Sequence, residues 1–310
     1  MCTLLDALIG QSYPAIEIIM IDGGSTDGTL EILKEYADTY KNIKYAVKKD
    51  VNIAQGRNIA IKIASSSLIA VTDGGCLPDR DWLKELVKPV MSDPSVDAVS
   101  GRIVPKSESR FEKFCGLFST PKQDDSSQSG MFYGRSSLFR KSLWEEAGGY
   151  PEWLYTAEDT LFAIRAGQLG GKIVYAPDSV LYWRPRSSLR KLSKMFYLYG
   201  RGNGRINIGD IKGSLYWLRY HLVWLAALLV SVKYPPALLV SVAVLAYLYA
   251  IMVLPALKQV ENLPAGFYRY LMAPAIVFTR NLSSNAGFLV GHIEYRVNPV
   301  FRRRLQQYME

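Results

Sequence analysis

Short apolar runs that end in an acid alternate here with stretches of helical periodicity, and few folds accommodate that pattern. Residues 16–22, Ile-Glu-Ile-Ile-Met-Ile-Asp, are apolar almost throughout and stop at Asp22. Such a run suits a strand covered on both faces. Gly23-Gly24-Ser25-Thr26-Asp27-Gly28 then turns the chain, and Leu30, Leu33, Ala37 and Tyr40 recur on one helical face over 29–40. A second strand is expected over 42–47, helix over 58–64, and a third strand over 68–72, followed by Asp73. Helix over 158–170 and strand over 172–183 continue the alternation. The pattern predicts an α/β domain with a parallel sheet and helices on both faces. Ligands of such sheets sit at the carboxyl ends of the strands, where Asp22 and Asp73 stand. Residues 102–128 read as irregular, with a Ser/Asp/Gln-rich tract over 123–129 that fits either an active-site loop or a solvated connector.

Each acid alone has an ordinary explanation. Asp22 and Asp73 precede glycines, as strand-end turns often require. Gly74 and Gly75 leave the backbone open to a ligand or metal. Glu158-Asp159 opens a helix, where the dipole favours acids anyway. Together they suggest transfer chemistry on a nucleotide sugar, which needs a grip on the nucleoside, neutralisation of a departing diphosphate and a base for the acceptor hydroxyl.

The set resembles family 2 inverting glycosyltransferases over roughly residues 4–205. Ile21-Asp22-Gly23-Gly24-Ser25-Thr26-Asp27-Gly28-Thr29 and Asn52-Ile53-Ala54-Gln55-Gly56-Arg57-Asn58 resemble their two donor motifs. Val71-Thr72-Asp73-Gly74-Gly75-Cys76-Leu77-Pro78 is similar to their metal-binding aspartate motif. Ala157-Glu158-Asp159-Thr160 with Arg165 and Gly171-Lys172-Ile173-Val174-Tyr175-Ala176-Pro177-Asp178 resembles their catalytic-base segment. The resemblance implies the glycosyltransferase A-type nucleotide-binding fold and a single inverting displacement. It implies donor binding by Asp22, Arg57, Asp73 and Gly74. It also implies manganese or magnesium on Asp73, and Asp159 as base with Glu158 in support. The likeness extends to the membrane-integrated branch, which includes cellulose-synthase-like enzymes and polyprenyl-phosphate mannosyltransferases. GDP-mannose is therefore the favoured donor, with a UDP-sugar as the other option.

Four positions depart from the family. The second aspartate of the metal motif is Gly75, and Trp183 stands where a metal-holding His often ends the strand. The Gln-x-x-Arg-Trp motif of processive synthases is absent, with Tyr199-Gly200-Arg201-Gly202-Asn203-Gly204-Arg205 in that region. One sugar per encounter is expected. The sequence opens on a helix expected over 4–11 followed by Ser12-Tyr13-Pro14, where the resemblance implies a strand first; either the start is placed too late or the sheet is completed differently. These losses keep a second reading open, a catalytically inactive nucleotide-sugar-binding membrane scaffold.

Charge and hydropathy place the rest. The chain carries a net charge of +9, with 37 Lys and Arg against 28 Asp and Glu. Nine basic residues and one acid, Asp210, fall within 184–219, directly before an apolar stretch over 222–257. A basic cluster in that place suits anionic headgroups. No zinc-finger or RNA-binding signature accompanies it, so nucleic acid is not an expected partner. Arg190, Arg201 and Arg205 are candidates for the phosphate of a polyprenyl-linked acceptor, because Arg pairs with phosphate in bidentate fashion. A sugar hydroxyl needs a base where a phosphate nucleophile does not, which favours a lipid-linked saccharide. Cys2, Cys76 and Cys115 have no pairing or metal spacing and are expected to be reduced thiols. No secretory signal opens the sequence.

Lys233-Tyr234-Pro235-Pro236 divides the apolar stretch. Segments 215–232 and 236–257 predict a transmembrane hairpin, the first only with Arg219 and His221 at headgroup depth. A buried hairpin in a soluble protein is the alternative. Basic residues outside both ends put the α/β domain on the cytoplasmic side of a multi-pass cell-membrane protein. Residues 268–295 read as an interfacial or re-entrant segment around Arg280-Asn281-Leu282-Ser283-Ser284-Asn285, or as a third span, and Arg302, Arg303 and Arg304 follow. The expected parts are a catalytic domain over 1–183, a basic interfacial segment over 184–214, the hairpin over 215–257, and interfacial helix and tail over 258–310.

Overall fold

The computed structural model describes residues 1–14, 16–119, 134–259, 266 and 268–310. The Ser/Asp/Gln-rich tract over 123–129 lies outside the described residues. The chain divides into two compact units. The first holds Met1–Val104, Lys122–Trp183 and Gln306–Glu310, and the second Pro105–Pro121 and Arg184–Leu305.

In the first unit, α1 (Cys2–Ile9) leads to β1 (Ile18–Asp22), α2 (Thr29–Thr39), β2 (Ile43–Val47) and α3 (Ile53–Ile63). β3 (Leu68–Val71), β4 (Cys76–Pro78), α4 (Trp82–Ser92) and β5 (Val96–Pro105) follow. α5 (Arg110–Ser119) lies in the second unit, and β6 (Ser137–Arg140), α6 (Lys141–Glu146), α7 (Glu158–Gln168) and β7 (Lys172–Trp183) complete the first. The expected elements over 16–47, 58–72 and 158–183 form, but the helix expected over 58–64 begins five residues earlier, at Ile53, where the Asn52 cap starts it. Two expectations are corrected. Residues 110–119 are helical, because Phe114, Cys115 and Phe118 share one buried face. The sheet is neither continuous nor all parallel. β1 and β2 pair in parallel as a separate two-stranded sheet, and the other five strands run in the order β3-β6-β5-β7-β4. β3–β6, β5–β6 and β4–β7 are antiparallel. The turn from β3 to β4, closed by Cys76 N–H on Asp73 O at 3.0 Å, is too short for a crossover helix.

The core of this unit packs α3 and α7 on the five-stranded sheet. Ala54 and Ile61 of α3 meet Val71, Ala98 and Phe139 of the strands and Phe162, Ala163 and Ala166 of α7. Phe139 and Phe162 stand edge to face at 5.2 Å, with Tyr150 against Phe162 at 4.7 Å. This packing sets the N-terminal halves of both helices beside the end of β3.

The second unit continues with α8 (Leu189–Arg205), α9 (Ile211–Ser231), α10 (Ala237–Leu248), a π-helical turn (Tyr249–Val253), α11 (Leu254–Gln259), α12 (Tyr268–Val297) and the start of α13 (Pro299–Met309). Tyr216 faces Tyr247 and Ser241 faces Trp224, so α9 and α10 are an antiparallel hairpin. Leu222, Leu229, Leu239 and Val242 on it are exposed. Among the described residues, one helical run is long and apolar enough to cross a membrane, Ala237–Lys258, with mean hydropathy 2.6. The expected second span is not among them, because α9 carries Arg219 and His221 at mid-helix; Arg219 sits against the rings of Tyr216 and Tyr220. Residues 268–295, expected as an interfacial or re-entrant segment or a third span, lie within the single helix α12. α12 lies along α8 through glycines. A Cβ at Gly200 or Gly204 would collide with the backbone of Ser284 or Phe288, and one at Gly287 or Gly291 with that of Tyr197 or Arg201. Helices approach so closely only where small residues face each other.

Candidate active site

Arg57 is the hub. It lies in α3, whose start is fixed by a reciprocal cap: Asn52 Oδ1 accepts from Gln55 N–H and Gln55 Oε1 from Asn52 N–H, both at 2.9 Å. Asn52 Nδ2 also donates to Glu152 O at 2.7 Å. One residue beyond Arg57, buried Asn58 accepts from Tyr150 N–H and Trp144 Nε1 and donates to Tyr150 O and Glu152 Oε1. A Cβ at Gly149, whose φ is +79°, would come within 3.1 Å of Asn58 Oδ1. α3 is thereby held to the 144–152 segment.

Arg57 Nη1 donates to Glu158 Oε1 at 2.9 Å, and Nη2 donates to Asp73 Oδ1 at 2.8 Å and to Gly134 O at 3.1 Å. Gly134 N–H in turn donates to Asp159 Oδ2 at 3.0 Å. Gly134 therefore uses both backbone groups to join Arg57 to Asp159. A side chain there would push Arg57 out of place, since its Cβ would stand 2.7 Å from Arg57 Nη1. Glu158 and Asp159 begin α7 after Ala157, which holds a left-handed φ of +68°. A non-glycine residue in that region is strained by about 1 kcal/mol or more.

Burial opposes the charge on Arg57, but Asp73, Glu158 and Asp159 around it outweigh burial and hold the guanidinium firmly protonated. Burial and the charge of Asp159 push the Glu158 carboxyl up to about 7, although Arg57 pulls it down. Burial and Asp73 raise the Cys76 thiol to about 11, and burial raises that of Cys115. Neither is an activated nucleophile.

Four of the sequence-derived residues thus meet: Arg57, Asp73, Glu158 and Asp159. Asp22 is buried and spends its carboxylate on its own turn. Its Oδ1 accepts from Gly24 and Ser25 N–H at 2.8 and 2.7 Å, and its Oδ2 from Ser25 Oγ at 2.6 Å. Burial pushes its pKa up, but these bonds more than offset that and leave it below the usual carboxylate range. Gly56 ties α3 to this strand, since a Cβ on it would lie 3.8 Å from Ile21. Beside Gly74 and Gly75 there is room. An added Cβ meets only Met1 at 3.9 Å at the first and nothing within 4 Å at the second. In the second unit Arg190 is exposed, whereas Arg201 and Arg205 both pair with Glu294. The two guanidiniums share that one carboxylate, so one positive charge of the trio is left over. Gly134, Arg135 and Tyr150 carry no motif, and only their neighbours in space reveal them.

The A-type fold implies a divalent cation at Asp73, and the donor set does not fit one. Among the described residues no group of three or more His, Cys, Asp or Glu side chains gathers to hold a metal. Both oxygens of Asp73 face guanidiniums, Oδ1 that of Arg57 and Oδ2 that of Arg135 at 3.9 Å.

A mixed sheet with acids at a strand end and a helix start, joined through an arginine, is the arrangement of an α/β glycosyltransferase. The fold is similar to that of the mannosyltransferase PcManGT from Pyrobaculum calidifontis in complex with GDP-Man and Mn2+. That likeness has TM-score 0.56 and 22% identity over 96% of this chain and 83% of the other. Residues 2–148 match Glycosyl transferase family 2, and this part of the chain is similar to the glycosyltransferases of that family. Glycosyltransferase AglE of Haloferax volcanii is 26% identical over 64% of this chain and 66% of its own length. The dolichyl N-acetyl-alpha-D-glucosaminyl phosphate 3-beta-D-2,3-diacetamido-2,3-dideoxy-beta-D-glucuronosyltransferase of Methanococcus voltae is 26% identical over 64% and 67%. The chain spans about half to two thirds of the length of the curated relatives it matches.

Proposed function

We propose that this chain transfers a single hexose, with inversion, from a nucleoside-diphosphate sugar to a lipid-linked saccharide at the cytoplasmic membrane face, as in assembly of glycan or N-glycan precursors. The observation that carries the reading is the meeting of Arg57, Asp73, Glu158 and Asp159 through the backbone of Gly134. Asp159 takes the proton of the acceptor hydroxyl as its oxygen bonds to the anomeric carbon and the bond to the diphosphate breaks. Gly134 N–H and Thr160 N–H, each on one oxygen of Asp159, orient it. Glu158 holds Arg57, and Arg57 holds Asp73 at the donor side. Asp22 shapes the donor loop around Ser25, and the open backbone at Gly74 leaves room for the nucleotide. The Methanococcus voltae relative, by its name, acts on a dolichyl phosphate-linked sugar, which supports a lipid-linked acceptor. GDP-mannose is the first donor to test, since the structure of similar fold was solved with GDP-Man, and UDP-sugars come next.

Ala237–Lys258 is the proposed membrane anchor, with α9 packed beside it and Arg190 at lipid headgroups. Arg201 and Arg205 share the single carboxylate of Glu294, which leaves the trio a net positive charge for a lipid phosphate.

The test is transfer from GDP- and UDP-sugars to a polyprenyl-linked acceptor by the detergent-solubilised chain. Asp159→Asn should abolish transfer and keep donor binding; retained turnover removes Asp159 from the base role. The competing reading, an inactive scaffold, draws on the arginines that flank both oxygens of Asp73. It requires the wild-type chain to show no transfer or donor hydrolysis with any nucleotide sugar.

A further inference from the structure

The place that the family reserves for a divalent cation is built differently in this chain. By the resemblance, metal ligands belong at positions 75 and 183, and here they are Gly75 and Trp183, whose side chains offer a hard cation no lone pair. The two positions are neighbours, because Cys76 lies opposite Trp183 in the β4–β7 ladder. A cation from the protein stands beside them. The Arg135 guanidinium lies 4.9 Å from the centre of the Trp183 ring, and its Nε lies 3.9 Å from Asp73 Oδ2. Trp183 is buried and the Arg135 side chain is 23% exposed, so the pair is fixed yet reachable. Arg57 occupies the other oxygen of Asp73. A dication placed on this carboxylate would be repelled by both arginines. Trp183, useless as a metal ligand, is the best aromatic platform for a guanidinium. The exchanges at 75 and 183 and the position of Arg135 therefore make one consistent set.

The geometry points to Arg135 as the group that receives the donor's diphosphate in place of a divalent cation, with Trp183 and Asp73 aiming it. This rests on the transferase reading above. A guanidinium presents N–H donors in a fixed fork that matches two phosphate oxygens. As the bond from the anomeric carbon to the phosphate oxygen breaks, its electron pair stays on the departing diphosphate. Arg135 stabilises that charge with hydrogen bonds, and the acceptor proton goes to Asp159. No further reactant enters.

Calorimetry of GDP and UDP on the purified full chain, in EDTA and again in manganese chloride, tests this. The nucleotide that binds should bind equally well in both buffers. Arg135→Ala should weaken binding in EDTA by about 30-fold or more, the loss of a charge-assisted pair, and Arg135→Lys should fall between. The double variant Gly75→Asp/Trp183→His, whose first change enters open space, should bind the nucleotide more tightly with manganese than without. Wild-type binding that appears only with manganese overturns the proposal and leaves the transferase reading standing, and so does unchanged binding by a folded Arg135→Ala. Should Arg135→Ala fail to fold by circular dichroism, the wild-type comparison of EDTA and manganese still decides. Failure of both nucleotides to bind under either condition overturns the transferase reading, and this inference with it.

Discussion

Replacing Arg57 by Met removes the cation that, among the described residues, Glu158 and Asp73 share. Met keeps much of the volume, so the change reads charge more than packing. Glu158 is only 6% exposed, and stranding a buried charge costs about 3–5 kcal/mol. Glu158 has an escape, since it can take up a proton. In the wild type burial already pushes its pKa to about 7, above the 4.5 of the unfolded chain. A raised carboxyl pKa means that its stability contribution is fully present below 4.5 and is lost as pH rises through 7. The total is on the order of 3 kcal/mol. Without Arg57 the folded pKa rises further and the loss with pH steepens. Urea denaturation should therefore find Arg57→Met destabilised by about 3–5 kcal/mol at pH 8, and by about 1–2 kcal/mol less at pH 6. Adding Glu158→Gln should recover part of the loss at pH 8 and flatten the pH dependence. A destabilisation that is the same at both pH values, in the single and the double variant, would refute the argument that Arg57 holds a buried carboxylate charged.

Three further outcomes follow from the geometry. Gly134→Ala places a methyl group 2.7 Å from Arg57 Nη1; transfer should fall by at least about tenfold, the loss from misplacing a positioned group, with folding nearly intact by circular dichroism. Gly204→Val sets a branched side chain into the backbone of Phe288 and should destabilise α8 against α12 by about 3 kcal/mol or more. Differential hydrogen exchange should show the loss of protection in those helices and not in α3 or α7. Leu245→Arg puts a charge within Ala237–Lys258, a change of about 3 kcal/mol at a helix centre. The variant should shift from the membrane pellet toward the soluble fraction on cell fractionation, and an unchanged pellet would remove this helix as the anchor.

What the sequence alone determined is local. Asp22, Asp73 and Glu158-Asp159 were legible because a strand end and a helix start are marked by neighbours along the chain: apolar runs, glycines and caps. The α2, α3 and α7 helices were legible for the same reason, since their apolar spacing needs no partner to be seen. Periodicity does not show which strand lies beside which, so a parallel sheet was expected where β3, β5 and β6 run antiparallel. Nor did it decide between an interfacial segment and a third span over 268–295, where the polar residues 280–285 lie within one helix held against α8 through Gly287 and Gly291. Tertiary structure alone decided what each charge faces. Arg57 became a hub by meeting residues 16, 77 and 101 positions away, and Arg201 and Arg205 came to share Glu294, about 90 positions distant. Arg135 has no signal of its own in the sequence; its meaning comes from the Trp183 ring and the Asp73 carboxylate that folding sets beside it. Electrostatic energy depends on distance through space, and the sequence records only distance along the chain.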